Sequence, residues 1–389
     1  MTAEPFRIAI ADQALHDLET RLRATRWPNE ARGGGWRMGT DLTYMRALVD
    51  HWLGAYDWRH WEARLNRFAQ YRAEIDGLKI HFLVEPGSGD GPLPLILTHG
   101  WPGSFFEFDQ VIEPLAHPER FGGDIRDAFT VICPTLPGYG FSDAPAKPLG
   151  PRAIAGMWRT LMVEVLGHER FVAQAGDWGA IVTSWLALDH PENLAAMHLN
   201  MMPLRPHLGP ETAPLSEAEK AWIAAYKKRW AAQGGYFAIQ GTKPQTLAYG
   251  LADSPVGLAA WIIEKFQHRL AEPAGSLSLF SMDRLITNVM LYWLTNSHDT
   301  ATWLYHAVTH EGGLGLGPGP DGRGERVQVA TGFAFMPHDL VPPPPAGWPE
   351  RAYNVVHRTD FAEGGHFTAF EQGPELIADM REFFRAYRP

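Results

Sequence analysis

A single cysteine, Cys133, is all the thiol this sequence holds. No disulfide can form within the chain, so stability has to come from packing, and the scarcity fits a reducing cytoplasm. Basic charge is short too: 34 Lys and Arg stand against 44 Asp and Glu, a formal charge of −10. That balance argues against nucleic acid as a partner, because phosphate binding needs a basic surface. Long apolar runs are missing as well. Nothing approaches the roughly 18 residues of a membrane-spanning helix, and the opening MTAEPFRIAIADQALHDLETRL has no apolar segment of a secretion signal. A protein without a membrane anchor is expected, located in the cytoplasm. Cys133, in FTVICP at the end of an apolar run, reads as inert core packing.

What is present supports a large core. The chain has 389 residues, 45% hydrophobic and 20% charged, enough for one enlarged domain or two and too apolar for general disorder. Residues 1–75 read as helical, with ALHDLETRL and YMRALVDHWL spaced for helices and Trp27, Trp36, Trp52, Trp58 and Trp61 as packing residues. Interrupted at Gly33–Gly35, this region is expected to wrap a larger body. From residue 76 the runs LKIHFLV, PLILTHG, FTVICP, RFVAQAGD and LAAMHLN have strand length, and helical stretches separate several of them. Strands apolar on both faces that alternate with helices predict an α/β fold, a mostly parallel sheet covered on both sides. Residues 204–312 break the rhythm with helices. RVQVATGFAFMP, RAYNVVHR and PELIADMREFFRAY then resume it. The reading is a core in two parts, 76–203 and 313–389, with a helical cap over the carboxyl ends of its strands, where such sheets bind ligands.

Two motifs are set aside. GGLGLGPGPDGRG (312–324) has the glycine density of a dinucleotide loop but no helix after it to receive a phosphate. His306 and His310 are four apart but lack the glutamate of HExxH and a third ligand. No metal or organic cofactor is expected.

RFVAQAGDWGAIVTSWLA carries the chemistry. A strand ends at Ala175, small residues flank a turn and a helix follows, the setting of a nucleophile elbow in an α/β-hydrolase fold. The central residue is Asp177. An N-cap is the ordinary use of an aspartate here, yet the partners below favour a nucleophile. A carboxylate is ionised at neutral pH and attacks without a base. Its product is an ester, so the electrophile is a saturated carbon with a leaving group, as in an epoxide or an alkyl halide. Hydrolysing that ester requires activated water and an oxyanion hole. THGWPGS follows the strand PLIL and can offer the backbone N–H of Trp101, joined by that of Trp178 after the nucleophile. The side chains of His99 and Trp101 read as structural or pocket-lining. His366, in EGGHFTAFE between the last strand and the last helix, is the expected base. MMPLRP after LAAMHLN offers no carboxylate, whereas Asp339 follows GFAFMP and is the expected orienting acid, ahead of Asp360 and Glu363.

GDWG, HGWPGS, LPGYGFS, QGTKP…DSPVGLAAW, ITNVMLYW and GGHFTAFE together resemble the microsomal-type epoxide hydrolase family, N-terminal wrapping region included. The resemblance covers nearly the whole chain. It implies an α/β-hydrolase core, a helical cap and two cap tyrosines that hold the epoxide oxygen. Of the cap tyrosines Tyr226, Tyr236, Tyr249, Tyr292 and Tyr305, the family pattern matches Tyr236, just before IQGTKP, and Tyr305, about a dozen residues after LYW. The sequence departs in lacking the anchor of some members and in placing aspartate at 339 where glutamate is frequent. The expected partner is a small apolar or aromatic epoxide, with no nucleic acid and no membrane; a homodimer is compatible with all of this. The rival readings are a haloalkane dehalogenase, which shares the aspartate–tryptophan elbow, and a non-catalytic ligand-binding homologue.

Overall fold

The computed structural model describes residues 2–267, 280–318 and 324–388; part of the glycine-rich stretch (319–323) lies outside them. Nine strands form one sheet: β1 (Ala3–Phe6), β2 (Ala69–Ile75), β3 (Leu78–Glu85), β4 (Leu93–Thr98), β5 (Phe129–Pro134), β6 (Phe171–Ala175), β7 (Leu194–Leu199), β8 (Val327–Phe335) and β9 (Tyr353–Asp360). Their order is β1-β2-β3-β5-β4-β6-β7-β8-β9. The first three pair antiparallel and β3 joins β5 antiparallel, whereas every pairing from β5 to β9 is parallel. Parallel strands need helical crossovers, which cover both faces and make strands such as β6 buried at every residue.

The N-terminal region is less purely helical than its spacing suggests. Its helices are α1 (Asp12–Arg23), α2 (Leu42–Gly54) and α3 (Trp58–Leu65), but β1 and β2 bracket them and extend the sheet. The turn between β2 and β3 is Asp76–Gly77, both at positive φ (51° and 77°), with Ile75 opposite Leu78. That is the two-residue hairpin for which Asp-Gly is suited. Trp52, Trp58 and Trp61 are buried in the core, as packing residues should be.

Between the strands lie α4 (Ile112–Ala116), α5 (Pro151–Thr160) and α6 (Asp177–Asp189), and the insertion between β7 and β8 comprises α7 (Glu217–Gln233), α8 (Gly235–Thr242), α9 (Pro244–Asp253), α10 (Pro255–Ile263), α11 (Met282–Thr295) and α12 (Trp303–His310). The insertion is pinned at its base: Arg205 N–H donates to Leu314 O and Leu316 N–H to Arg205 O, at 2.8 and 2.9 Å. Residues before β2 hold its far side. Thr40 Oγ1 donates to Ala260 O (2.7 Å), Tyr56 and Thr287 share a 3.0 Å hydroxyl bond, and His51 pairs with Asp283. These contacts fix α10 and α11 over the sheet edge at which β4, β6, β7, β8 and β9 all end. Two helices close the chain, α13 (Thr368–Glu371) and α14 (Gly373–Phe384). Among the described residues no helix is long and apolar enough to cross a membrane.

Candidate active site

Asp177 stands where β6 turns into α6, with φ at +46°. A non-glycine residue in that region stores strain, on the order of 1–3 kcal/mol, which surrounding structure has to hold. It is held by close approach. A Cβ on Gly179, two residues on, would fall 2.1 Å from Thr98 O at the end of β4, so only glycine lets the elbow lie this close to the neighbouring strand.

The loop after β4 supplies the first partner: Trp101 N–H donates to Asp177 Oδ1 at 2.8 Å. His99 shapes that loop from below, its Nδ1 3.1 Å from Gly100 O and its Nε2 accepting from Leu136 N–H at 3.2 Å. Burial pushes its imidazole down to about 4, so it stays neutral and structural. The Trp178 amide lies in the first turn of α6, where N–H groups have no carbonyl partner in their own helix.

His366, between β9 and α13, has its Nε2 3.2 Å from Asp177 Oδ2 and its Nδ1 2.9 Å from Asp339 Oδ1. Asp339 follows β8 and is 3% exposed; Val341 N–H also donates to its Oδ1, and Arg229 holds its main-chain carbonyl. Asp360 instead pairs with Arg358, and Glu363 faces His338. Burial alone would lower the His366 imidazole, but the carboxylates of Asp339 and Asp177 outweigh it and hold the ring well above the usual histidine range.

Above Asp177 the cap contributes aromatic rings. Tyr236 stacks on Trp101 with ring centres 5.3 Å apart, and Tyr305 meets Trp178 edge to face at 4.6 Å. The two tyrosine rings are 5.9 Å from one another. Burial, reinforced by the charge of Asp177, raises both phenols well above 10, so each remains a hydrogen-bond donor at any physiological pH. The other cap tyrosines are engaged elsewhere. Tyr226 stacks on Trp222, Tyr249 is 73% exposed, and Tyr292 donates to Gly103 O.

A cavity of about 600 Å³ runs from Asp177, Tyr236 and Tyr305 between Trp222, Trp230 and Phe237. A second, about 290 Å³, meets it at Tyr236, Leu340 and His366 and has a more polar wall that includes Arg229, Glu264 and Lys265. A third, about 10 Å³, is lined by Glu107, Asp177, Asn200 and His366 among others. Thus Asp360 and Glu363 stand apart, whereas Asp177, His366, Asp339, Tyr236, Tyr305 and the Trp101 amide gather at one point. Two residues there had escaped notice. Asn200 sits at the end of β7, where a carboxylate was sought and none found. Glu107 lies in FFEF, a run whose apolar neighbours give no local sign of a site. His306 and His310 stack on each other at 4.0 Å on α12, as neighbouring helix residues do.

Crossover topology, an aspartate on a strained strand–helix turn and a histidine–aspartate pair from later strands define an α/β hydrolase. Comparison with known proteins agrees and narrows the class. Residues 94–256 match the alpha/beta hydrolase fold and residues 3–108 the epoxide hydrolase N terminus. The chain is 34% identical to epoxide hydrolase 1 of Sus scrofa over 97% of its own length and 88% of that protein. It is 41% identical, over 99% of its length and 85% of the other, to a Stigmatella aurantiaca protein with a provisional epoxide hydrolase name. The structure of Aspergillus niger epoxide hydrolase superposes with a TM-score of 0.83 at 32% identity, covering 99% of this chain and 97% of that one. The chain belongs to the epoxide hydrolase family and is an enzyme of that activity.

Proposed function

We propose that the chain converts an epoxide to a vicinal diol in two steps, through an ester on Asp177. The observation that carries this reading is the placement of the two Asp177 oxygens. Oδ1 accepts from Trp101 N–H, the position an ester carbonyl oxygen would keep, and Oδ2, which takes no backbone donor among the described residues, lies 3.2 Å from His366 Nε2 in a residue that lines the main cavity. In the first step Oδ2 bonds to a ring carbon, the opposite C–O bond breaks, and the oxygen takes a proton from Tyr236 or Tyr305. The phenols suit this task, since the alkoxide that develops is far more basic than they are. In the second step water attacks Asp177 Cγ, its proton passing to His366 Nε2. Charge on Oδ1 is met by Trp101 N–H, with Trp178 N–H as the second donor. The bond from Cγ to the alkyl oxygen then breaks as that oxygen takes the proton from His366, the diol leaves, and the proton left on the Asp177 carboxyl returns to the phenolate.

The electrostatics order these steps. Asp177 is one of the two carboxylates that raise His366; once it is esterified that charge is gone. The imidazole then falls back toward its ordinary range and becomes a base when one is needed, with Asp339 fixing its tautomer. Below that value the ring is protonated, so ester hydrolysis is the step that fails as pH drops. The main cavity's walls of tryptophan, phenylalanine and methionine support an apolar or aromatic epoxide as substrate. We retain 204–312 as cap, 1–75 as wrapping region, and 76–203 with 313–389 as core.

The tyrosines test epoxide against halide chemistry, because a departing halide needs no proton. Tyr236→Phe and Tyr305→Phe keep the rings and remove only the hydroxyls. Each is expected to slow formation of the Asp177 ester by about 10²-fold and the pair by about 10⁴-fold, while hydrolysis of ester already formed changes far less. Pre-steady-state kinetics separate the two rates. Unchanged alkylation by epoxides in the double variant would sink this assignment, as would faster release of halide from alkyl halides than of diol from epoxides.

A further inference from the structure

The mechanism needs a water molecule beside His366 and leaves Glu107 without a task. Glu107 comes from the short helical turn Phe105–Phe108 after the oxyanion loop. It lines the 10 Å³ cavity together with Asp177, Asn200 and His366. That volume is about one water-sized sphere, and its polar lining supplies the several partners an enclosed water needs. The apolar residues beside Glu107 (Phe105, Phe106 and Phe108) are fully buried. Desolvation pushes the carboxyl up to about 8, with the His366 and Asp177 charges acting in opposite directions on it. At neutral pH it is therefore mainly a neutral acid, with one O–H to donate and one carbonyl to accept. Asn200 completes the wall: its Oδ1 accepts from Gln174 Nε2 at 3.0 Å. Its Nδ2 lies 3.3 Å from where a Cβ on Gly176 would be, on the side of the elbow.

We propose that Glu107 is a positioning residue for ester hydrolysis, holding the attacking water in this cavity against His366 Nε2 and the Asp177 carbonyl carbon. The inference rests on the aspartyl-ester reading above. Substrate occupies the large cavity and water the small one, so the two reactants reach the carboxyl group from separate cavities. The water's oxygen bonds to Cγ as its proton moves to His366; the bond from Cγ to the alkyl oxygen breaks as that oxygen takes the proton back from His366; Glu107 gives and receives only hydrogen bonds and emerges unchanged.

Two substitutions separate this role from packing. Glu107→Leu fills the same space without a polar atom, whereas Glu107→Gln keeps one donor and one acceptor, as the neutral acid does. Intact-mass and rapid-quench measurements on the full chain mixed with an epoxide read alkylation and hydrolysis separately, with His366→Gln as the control that reports whether an ester forms. The expected result for Glu107→Leu is alkylation within a few-fold of wild type, hydrolysis slowed by about 10²-fold, and an accumulating adduct. Glu107→Gln is expected to restore hydrolysis to within about tenfold of wild type. If leucine does not fold there, Glu107→Ala is expected to show the same split between steps. An adduct in the His366→Gln control with wild-type hydrolysis in Glu107→Leu overturns the proposal alone. So does an equal fall in both steps, or a glutamine variant no better than leucine. No adduct in the control while wild type makes diol overturns the ester reading, and this proposal with it.

Discussion

His366→Gln is expected to stop the enzyme halfway, leaving the protein heavier by the mass of one epoxide. In the proposed mechanism the first step uses Asp177 Oδ2 and the phenols of Tyr236 and Tyr305; nothing in it takes a proton to the histidine. The second step does, since neutral water is too weak a nucleophile for an ester at a useful rate. Glutamine keeps the ring's approximate bulk between Asp177 and Asp339 but offers no basic nitrogen. Loss of a general base lowers its step by about 10²–10⁴-fold, and because Asp177 stays esterified, steady-state turnover falls by the same factor. Intact-mass analysis after mixing checks this, with peptide mapping to place the adduct at residue 177. An unmodified protein under conditions where wild type turns over would assign His366 to another role.

Asp177→Asn carries the largest loss of all. The amide matches the carboxylate in shape and can keep Trp101 N–H bonded to its oxygen, so the fold and the left-handed elbow are expected to persist. Its oxygen is a poor nucleophile, and the charge that holds His366 above its ordinary range is gone as well. Removing a nucleophile from such a constellation lowers kcat by about 10⁴–10⁶-fold. Initial rates of diol formation measure it, on freshly prepared protein whose mass shows asparagine still at 177, because deamidation regenerates the enzyme. Near-normal activity in verified asparagine protein would remove Asp177 from the chemistry.

The triad candidates were legible because this architecture writes its chemistry at strand ends. Asp177 follows β6, Asp339 follows β8 and His366 follows β9, each after an apolar run that a reader of the sequence can find. The two strands within residues 1–75 were not seen, for different reasons. The four residues of β1 have no pattern of their own and gain meaning only against β2. β2, in contrast, ends on the Asp-Gly turn of EIDGLKI, a local signal that periodicity alone passed over. Tyr236 and Tyr305 could be picked from five cap tyrosines only by family resemblance. In the structure Tyr292 donates to Gly103 O and Tyr249 faces solvent, whereas these two line the cavity with Asp177. Glu107 and Asn200 had no sequence signal. Their neighbours come from strands far apart in the chain, and a buried carboxyl acquires its properties from those neighbours.

Whether the oxygen added to the epoxide comes first from Asp177 or from water is the most direct test of the ester. With enzyme in excess over epoxide in water enriched in ¹⁸O, each active site turns over once. The account predicts an unlabelled diol, because its new oxygen is the old Asp177 Oδ2. The label should appear instead in the carboxylate of the peptide containing Asp177, delivered by the water that cleaved the ester. A diol carrying ¹⁸O from that first turnover, with Asp177 unlabelled, would mean that water opens the ring directly and would contradict the account at its centre.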